Sequence, residues 1–286
     1  MTISRKVLAV FSDAHAGSQH GLMPPDVQLL DSTGPEPRVW TPAQTAIQRE
    51  WLWPNYPSDI AQVFDLAGRS DVILVSTGDV THGIRFGDAL VSTRLADQIT
   101  IAIANLLPWY QHRNLRRVFL VTGTAVHEMG EGSAPIIVAD YLSKRYPKVQ
   151  TVVRRHPRLN IDGRWSDAAH HGPGAGRRIW LDGDELRRYT RDLMLREIID
   201  GREPPDLLWR AHIHNGILPE RVRVGEHVCE AWVQPSYCGM DDHALKVSRS
   251  AYTLTCGVTA AEVIEGEPPR ICPFWHKLDL REEERV

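Results

Sequence analysis

Apolar residues in this chain come in two textures. Short unbroken runs rich in Val, Ile and Leu, each closed by Gly, Asp, His or Thr, occur at residues 6–11, 71–76, 117–121 and 206–209. Runs of this length without alternation predict strands buried on both faces. Between them, residues 58–66, 87–107, 134–146 and 184–199 repeat at helical spacing. In the last, Leu186, Tyr189, Leu193, Met194 and Ile198 share one face while Arg187, Arg188, Arg191 and Asp192 fall elsewhere, which predicts an amphipathic helix. Strands alternating with helices argue an α/β fold for the first two-thirds. From about residue 220 the texture changes: residues 227–233, 252–256 and 261–264 are β-branched or aromatic, with turn residues between. They predict antiparallel strands that complete a second sheet.

Residues 17–57 interrupt this rhythm with Pro24, Pro25, Pro35, Pro37, Pro42, Pro54 and Pro57 and with Trp40, Trp51 and Trp53; only 41–51 suits a helix. An insertion just after the first strand lies where α/β proteins bind ligands, so it is expected either to wall a substrate pocket or to form a surface excursion pinned by its tryptophans. With 286 residues and 42% hydrophobic content the chain can bury one sizeable core, and a single domain over 1–286 is the expectation. The net charge of -3 gives no overall positive field to gather nucleic acid. Cys229, Cys238, Cys256 and Cys272 form no C-x-x-C pair and read as reduced core thiols. No stretch approaches the roughly 20 apolar residues of a membrane span, and the N-terminus turns polar too early for a secretory signal. A cytoplasmic protein without membrane contact is expected.

Candidate chemistry sits at the ends of the apolar runs. Asp13-Ala14-His15 follows the first, Gly78-Asp79 with His82 the second, and Gly123-Thr124-Ala125-Val126-His127-Glu128 the third. His170-His171-Gly172 comes later, and His212-Ile213-His214 follows the fourth run. In extended backbone, residues two apart project to one side, so D-x-H and H-x-H can each aim both groups at metal ions. Each motif alone has an ordinary reading, as a solvated turn or a hydrogen-bonded histidine. Together they would bring carboxylates and imidazoles from several strand ends to one edge.

This ordered set, spanning residues 13 to 214, resembles the signature of the calcineurin-like metallophosphoesterase superfamily: D-x-H, G-D, G-N-H-[DE], H-G, G-H-x-H. The resemblance implies a four-layer α-β-β-α sandwich of two mixed sheets flanked by helices, with a dinuclear metal site at the strand ends. Carried over, it implies that Asp13, His15 and His214 hold one ion, that His171 and His212 hold the other, and that Asp79 bridges both. His127 is then the catalytic histidine that meets the transition state and assists the leaving group. Three departures stand out. Thr124 occupies the place of the family's Asn ligand, with two extra residues before His127, so that Thr124, a backbone carbonyl or water is left to fill the position. Ala211 replaces a glycine. His82 stands where many members carry an Asp that orients the catalytic histidine. Thr124, His170, His82 and Glu128 are therefore candidates for further ligands or for groups that orient them. His170 is assigned a supporting or substrate-contacting role, with the reverse of His170 and His171 as the alternative. Arg177 and Arg178, in a Gly-rich stretch, are candidates to clamp phosphate oxygens, although a solvated loop is the blander reading.

Two divalent ions about 3.5–4 Å apart offset the charge that protects a phosphoester and supply an acidified water. Oxygen and imidazole donors without thiolate suit Mn, with Fe, Zn or Ni as alternatives, better than Mg or Ca. A phosphodiesterase acting on DNA, RNA or nucleotides is the expected function. A phosphomonoesterase, and a catalytically weakened scaffold of the same fold, are the alternatives.

Overall fold

The computed structural model describes residues 4–32, 34–85, 89–130, 132–173, 183–240 and 253–281. The strands are β1 (Arg5–Phe11), β2 (Leu29–Asp31), β3 (Arg38–Trp40), β4 (Asp71–Ser76), β5 (Leu115–Val121), β6 (Gln150–Arg154), β7 (Arg158–Ile161), β8 (Arg164–Ala168), β9 (Leu207–Arg210), β10 (Ile217–Val224), β11 (His227–Val233), β12 (Thr253–Ile264) and β13 (Arg270–Asp279). The helices are α1 (Trp53–Ala67), α2 (Leu95–Tyr110), α3 (Ser133–Arg145) and α4 (Asp184–Ile199). None is long and apolar enough to cross a membrane among the described residues.

The fold is α/β. One sheet has six strands in the order β13-β12-β1-β4-β5-β6, and a second has five in the order β10-β11-β9-β8-β7. In the first, β1, β4, β5 and β6 run parallel. In the second, β11, β9 and β8 do. Alternation along β1 shows how the sheets are buried. Val7, Ala9 and Phe11 join α1, α2 and α3 in one apolar cluster. Leu8 and Val10 instead meet Trp209 of β9 and Trp232 of β11 in a layer that both sheets share. There the two tryptophan rings cross edge to face, with centroids 3.7 Å apart, and Trp209 Nε1 donates to Ser166 Oγ at 2.8 Å. A third cluster packs Leu186 and Met194 of α4 on Leu208, Cys229, Ala231 and Val233.

Several expectations are corrected. The C-terminal strands do not all complete the second sheet: β12 and β13 pair with each other, and β12 pairs antiparallel with β1 in the first sheet. Two separate short strands at 252–256 and 261–264 are one twelve-residue strand, β12, because Gly257 lies in its interior and does not end it. Helix α1 starts at Trp53, earlier than 58, since Pro54 falls in its first turn, where a missing N–H has no intrahelical acceptor. On α4, Ile198 is more than a third exposed, whereas Leu186, Thr190 and Met194 are buried. Within 17–57, Leu22, Met23 and Leu29 are fully buried, and Gln48 Nε2 ties the segment down by donating to the carbonyls of Ser18 (3.1 Å) and Gly21 (2.7 Å). At the tip, strands β2 and β3 carry Leu30, Val39 and Trp40 at the surface. Burial of aliphatic residues, more than the tryptophans, fixes this insertion.

Arg210, at the end of β9, is fully buried. Its guanidinium meets Asp167 Oδ1 at 2.8 Å and the Trp209 carbonyl at 2.7 Å, and Tyr189 accepts a third bond at 2.9 Å. Burial would raise the Asp167 carboxyl, but the His156 hydrogen bond and the Arg210 charge hold it below its ordinary value. A depressed folded pKa stabilises above the unfolded carboxylate range, and that contribution is lost as pH falls through the lowered value. Asp167→Asn is expected to cost about 3–5 kcal/mol by stranding the Arg210 charge. It should also flatten part of the decline in stability below about pH 4. Urea melts of both proteins from pH 3 to 7 check this; parallel acid limbs would contradict it.

Candidate metal centre

Six parallel strands end at one place. From the first sheet, β1 leads into Asp13 and His15, β4 into Asp79 and β5 into Thr124 and His127; from the second, β8 leads into His170 and His171, and β9 into His212 and His214. The sixth, β11, leads into Ser236, Tyr237 and Cys238. Ser12 and Ser236 form a parallel bridge that brings the two sheets' exits together.

The local backbone is unusual. Among the described residues seven non-glycine positions have positive φ, and five of them are Asp13 (51°), His15 (44°), Asp79 (48°), His212 (76°) and His214 (59°). Asp and His tolerate this left-handed region better than most residues, yet each placement costs on the order of 1 kcal/mol. Such concentration at one spot marks a functional site. Two glycines make room for it. Gly78, at φ 107°, would place a Cβ 2.4 Å from His170 Nδ1, and Gly123 would place one 2.2 Å from Asp79 Oδ1.

The side chains form two groups that share Asp79. In the first, His15 Nε2 stands 3.0 Å from His214 Nε2, 3.8 Å from Asp13 Oδ1 and 3.8 Å from Asp79 Oδ2. His214 Nε2 is 3.5 Å from Asp13 Oδ1. In the second, His170 Nε2 stands 3.1 Å from Asp79 Oδ2 and 3.1 Å from His212 Nδ1. Thr124 Oγ1 lies 3.3 Å from Asp79 Oδ2, 3.2 Å from His170 Nε2 and 3.4 Å from His212 Nδ1. Donors bound at about 2.1 Å to a common ion stand about 3.0–3.4 Å apart, and most of these separations fall in or near that range. Asp13 Oδ1 is buried and accepts no hydrogen bond, and its imidazole neighbours are too distant to donate one. The residues therefore fit divalent cations.

Charge is balanced within the cluster. Burial would raise the carboxyls, but the imidazoles against them overcome it: Asp13 is held well below its ordinary value and Asp79 falls to about 2. Burial drives His15 down to about 4 despite Asp13 beside it, so this ring is neutral at physiological pH. His170 goes the other way: burial opposes its charge, yet the Asp79 hydrogen bond and the Asp13 charge lift it to about 9. Its Nδ1–H donates to the Thr77 carbonyl at 2.7 Å, which commits Nε2 to the centre.

The other expected residues take distinct places. His171 is exposed, its ring 4.7 Å from His170 and 4.6 Å from His212. Both adjacent histidines group with His212, the three offering ligand atoms within 4.8 Å of one another; His170 also faces Asp79, and His171 is the more exposed. The His82 ring meets His15, Nδ1 to Nδ1 at 3.1 Å, and lies 5.3 Å from the His127 ring, centroid to centroid, so that His15, His82 and His127 form one group that could hold a metal ion; the His82 carbonyl accepts from His127 Nδ1 at 2.7 Å. His127 stacks edge-on against His15 with centroids 4.6 Å apart. The two extra residues before it form a turn in which the His127 N–H donates to the Thr124 carbonyl at 2.9 Å, so the insertion keeps both Thr124 and His127 at the centre. Glu128 is buried and joins no ligand group among the described residues. Burial pushes its carboxyl to about 8 against the pull of the Gly123 and Asp79 amides. Arg177 and Arg178 lie outside the described residues. The sequence reading passed over Cys238, whose Sγ groups with His15 and His214; its position just past the 227–233 strand was the available signal.

No family model and no curated protein matches this chain. Among solved structures, it is similar to a protein of unknown function, AQ665 from Aquifex aeolicus, at 15% identity, over 73% of this chain and 80% of that one, with a TM-score of 0.32. A likeness at that level carries no functional argument.

Gly123→Ala tests the packing at Asp79. The added methyl would meet Asp79 Oδ1 at 2.2 Å and Asp79 N at 2.3 Å, so the carboxylate must move. Divalent-metal affinity, measured by calorimetry on folded protein, is expected to fall on the order of tenfold or more. Wild-type affinity would remove Asp79 from the binding set.

Proposed function

We propose that the chain is a phosphoester hydrolase that uses two divalent ions, of the calcineurin-like metallophosphoesterase type, with phosphodiesters as its preferred substrates. The observation that carries this is the position of Asp79 Oδ2, 3.8 Å from His15 Nε2 and 3.1 Å from His170 Nε2, between two donor groups from different sheets. The succession of helices, six-stranded sheet, five-stranded sheet and helix α4 supports the four-layer sandwich that this reading requires.

In this reading Asp13, His15 and His214 hold one ion, His170, His212 and Thr124 hold the other, and Asp79 serves both. His170 is the nearer of the two adjacent histidines to Asp79, and His171, with a ligand atom within 4.8 Å of those of His170 and His212, belongs to the same group. The ions, Mn, Fe, Zn or Ni by donor type, supply charge neutralisation at phosphorus and an acidified water. Thr124 within the second group favours an active enzyme over a weakened scaffold, because the place of the family's Asn is filled by an oxygen donor. His127, with Nδ1–H held by the His82 carbonyl, offers Nε2 to a substrate oxygen or to the leaving group, where a positioned acid contributes about 10²–10⁴-fold.

Protein reconstituted with manganese is expected to cleave an aryl phosphodiester faster than the matching monoester; monoester preference would replace the diesterase by a phosphatase, and no turnover with any divalent metal would remove the hydrolase reading. His127→Ala is expected to keep its metal content and lose about 10²–10⁴-fold in turnover, whereas Asp79→Asn loses metal and turnover together. Undiminished metal in Asp79→Asn, measured by plasma emission after gel filtration, would sink the shared-carboxylate assignment.

A further inference from the structure

We infer that Cys238 is a ligand of the ion held by Asp13, His15 and His214, an inference that rests on the metal-centre reading above. Strand β11 is the third parallel strand of the five-stranded sheet, and Cys238 follows it as His170 follows β8 and His212 follows β9. The chain leaving β11 is bonded to the chain leaving β1. The Tyr237 N–H donates to the Ser12 carbonyl at 3.1 Å and the Gly239 N–H to the His20 carbonyl at 2.8 Å. Gly21 and Cys238 form an antiparallel bridge, and Ser236 Oγ donates to the Cys238 carbonyl at 2.9 Å. These bonds fix the backbone of residue 238 beside the Asp13-His15 loop. The thiol is buried, and its Sγ lies within 4.8 Å of a ring nitrogen of both His15 and His214.

A second observation points to a cation at the same spot. Asp13 Oδ1, buried and without a hydrogen bond, stands 3.5 Å from His214 Nε2 and 3.8 Å from His15 Nε2, the same two imidazoles that the thiol approaches. Buried carboxylate oxygens require a partner. The other cysteines differ: Cys229 and Cys256 lie inside β11 and β12 and join no ligand group among the described residues.

On ligation the S–H bond breaks, its proton passes to solvent, and a sulfur lone pair forms the bond to the ion, with no change of oxidation state. One thiolate makes the two halves of the centre chemically unequal. The half containing Cys238 favours zinc or iron(II), while the half with His170, His212 and Thr124 keeps nitrogen and oxygen donors that also accept manganese.

The test is a titration of cobalt(II) into the metal-free full-length protein under reducing conditions, read by near-ultraviolet thiolate-to-cobalt charge transfer and, separately, by bound cobalt after gel filtration. Wild type and Cys256→Ser are expected to develop the band, and Cys238→Ser, shown folded by circular dichroism, to lose it. Zinc affinity of Cys238→Ser should fall on the order of tenfold or more relative to manganese affinity. Cobalt bound without the band in wild type, or a band that persists in Cys238→Ser, overturns the inference and leaves the metal centre standing. No bound cobalt overturns both.

Discussion

Asp13 and Asp79 are both buried at the meeting point of the two sheets, and like charges in a poorly solvated place repel. The rest of the site is arranged around that difficulty. Imidazoles face each carboxylate, and the Thr124 amide donates to Asp79 Oδ1 at 2.6 Å. Left-handed backbone turns the side chains inward at five residues. Such turns persist only where surrounding structure over-determines them, and the parallel strands that deliver them supply that rigidity.

Much of this was legible in the sequence, and the pattern of success is physical. Strand β4 and helix α4 appear with the boundaries their residues suggested, because an unbroken apolar run and a single apolar face each have one way to be buried. Which strand pairs with which is not encoded in periodicity, so the two segments of β12 were assigned to the wrong sheet. The ligand-bearing strand ends could be named because Asp, His and Gly stand out where an apolar run stops. Which of His170 and His171 stands nearer Asp79 could not, since neighbours in a chain differ in facing and a motif records only order. Cys238 escaped notice for a related reason: a cysteine near a strand is ordinarily a packing residue, and only the third dimension puts it beside His15.

Orientation in this centre relies heavily on main chain. The Thr77 carbonyl holds His170, and the His82 carbonyl holds His127. A main-chain carbonyl carries out the task whatever residue supplies it, and the His82 ring in addition packs against both His15 and His127.

The first candidate ligand group joins residues far apart in the chain: His15 meets His214 across a separation of 199 positions. Strand β1 likewise pairs with β12, so the scaffold beneath Asp13 is completed only when late segments arrive. A chain emerging from the ribosome would carry its first aspartate and histidine for most of synthesis with no pocket around them. On the proposed reading, metal binding at this group is therefore an event of the finished fold.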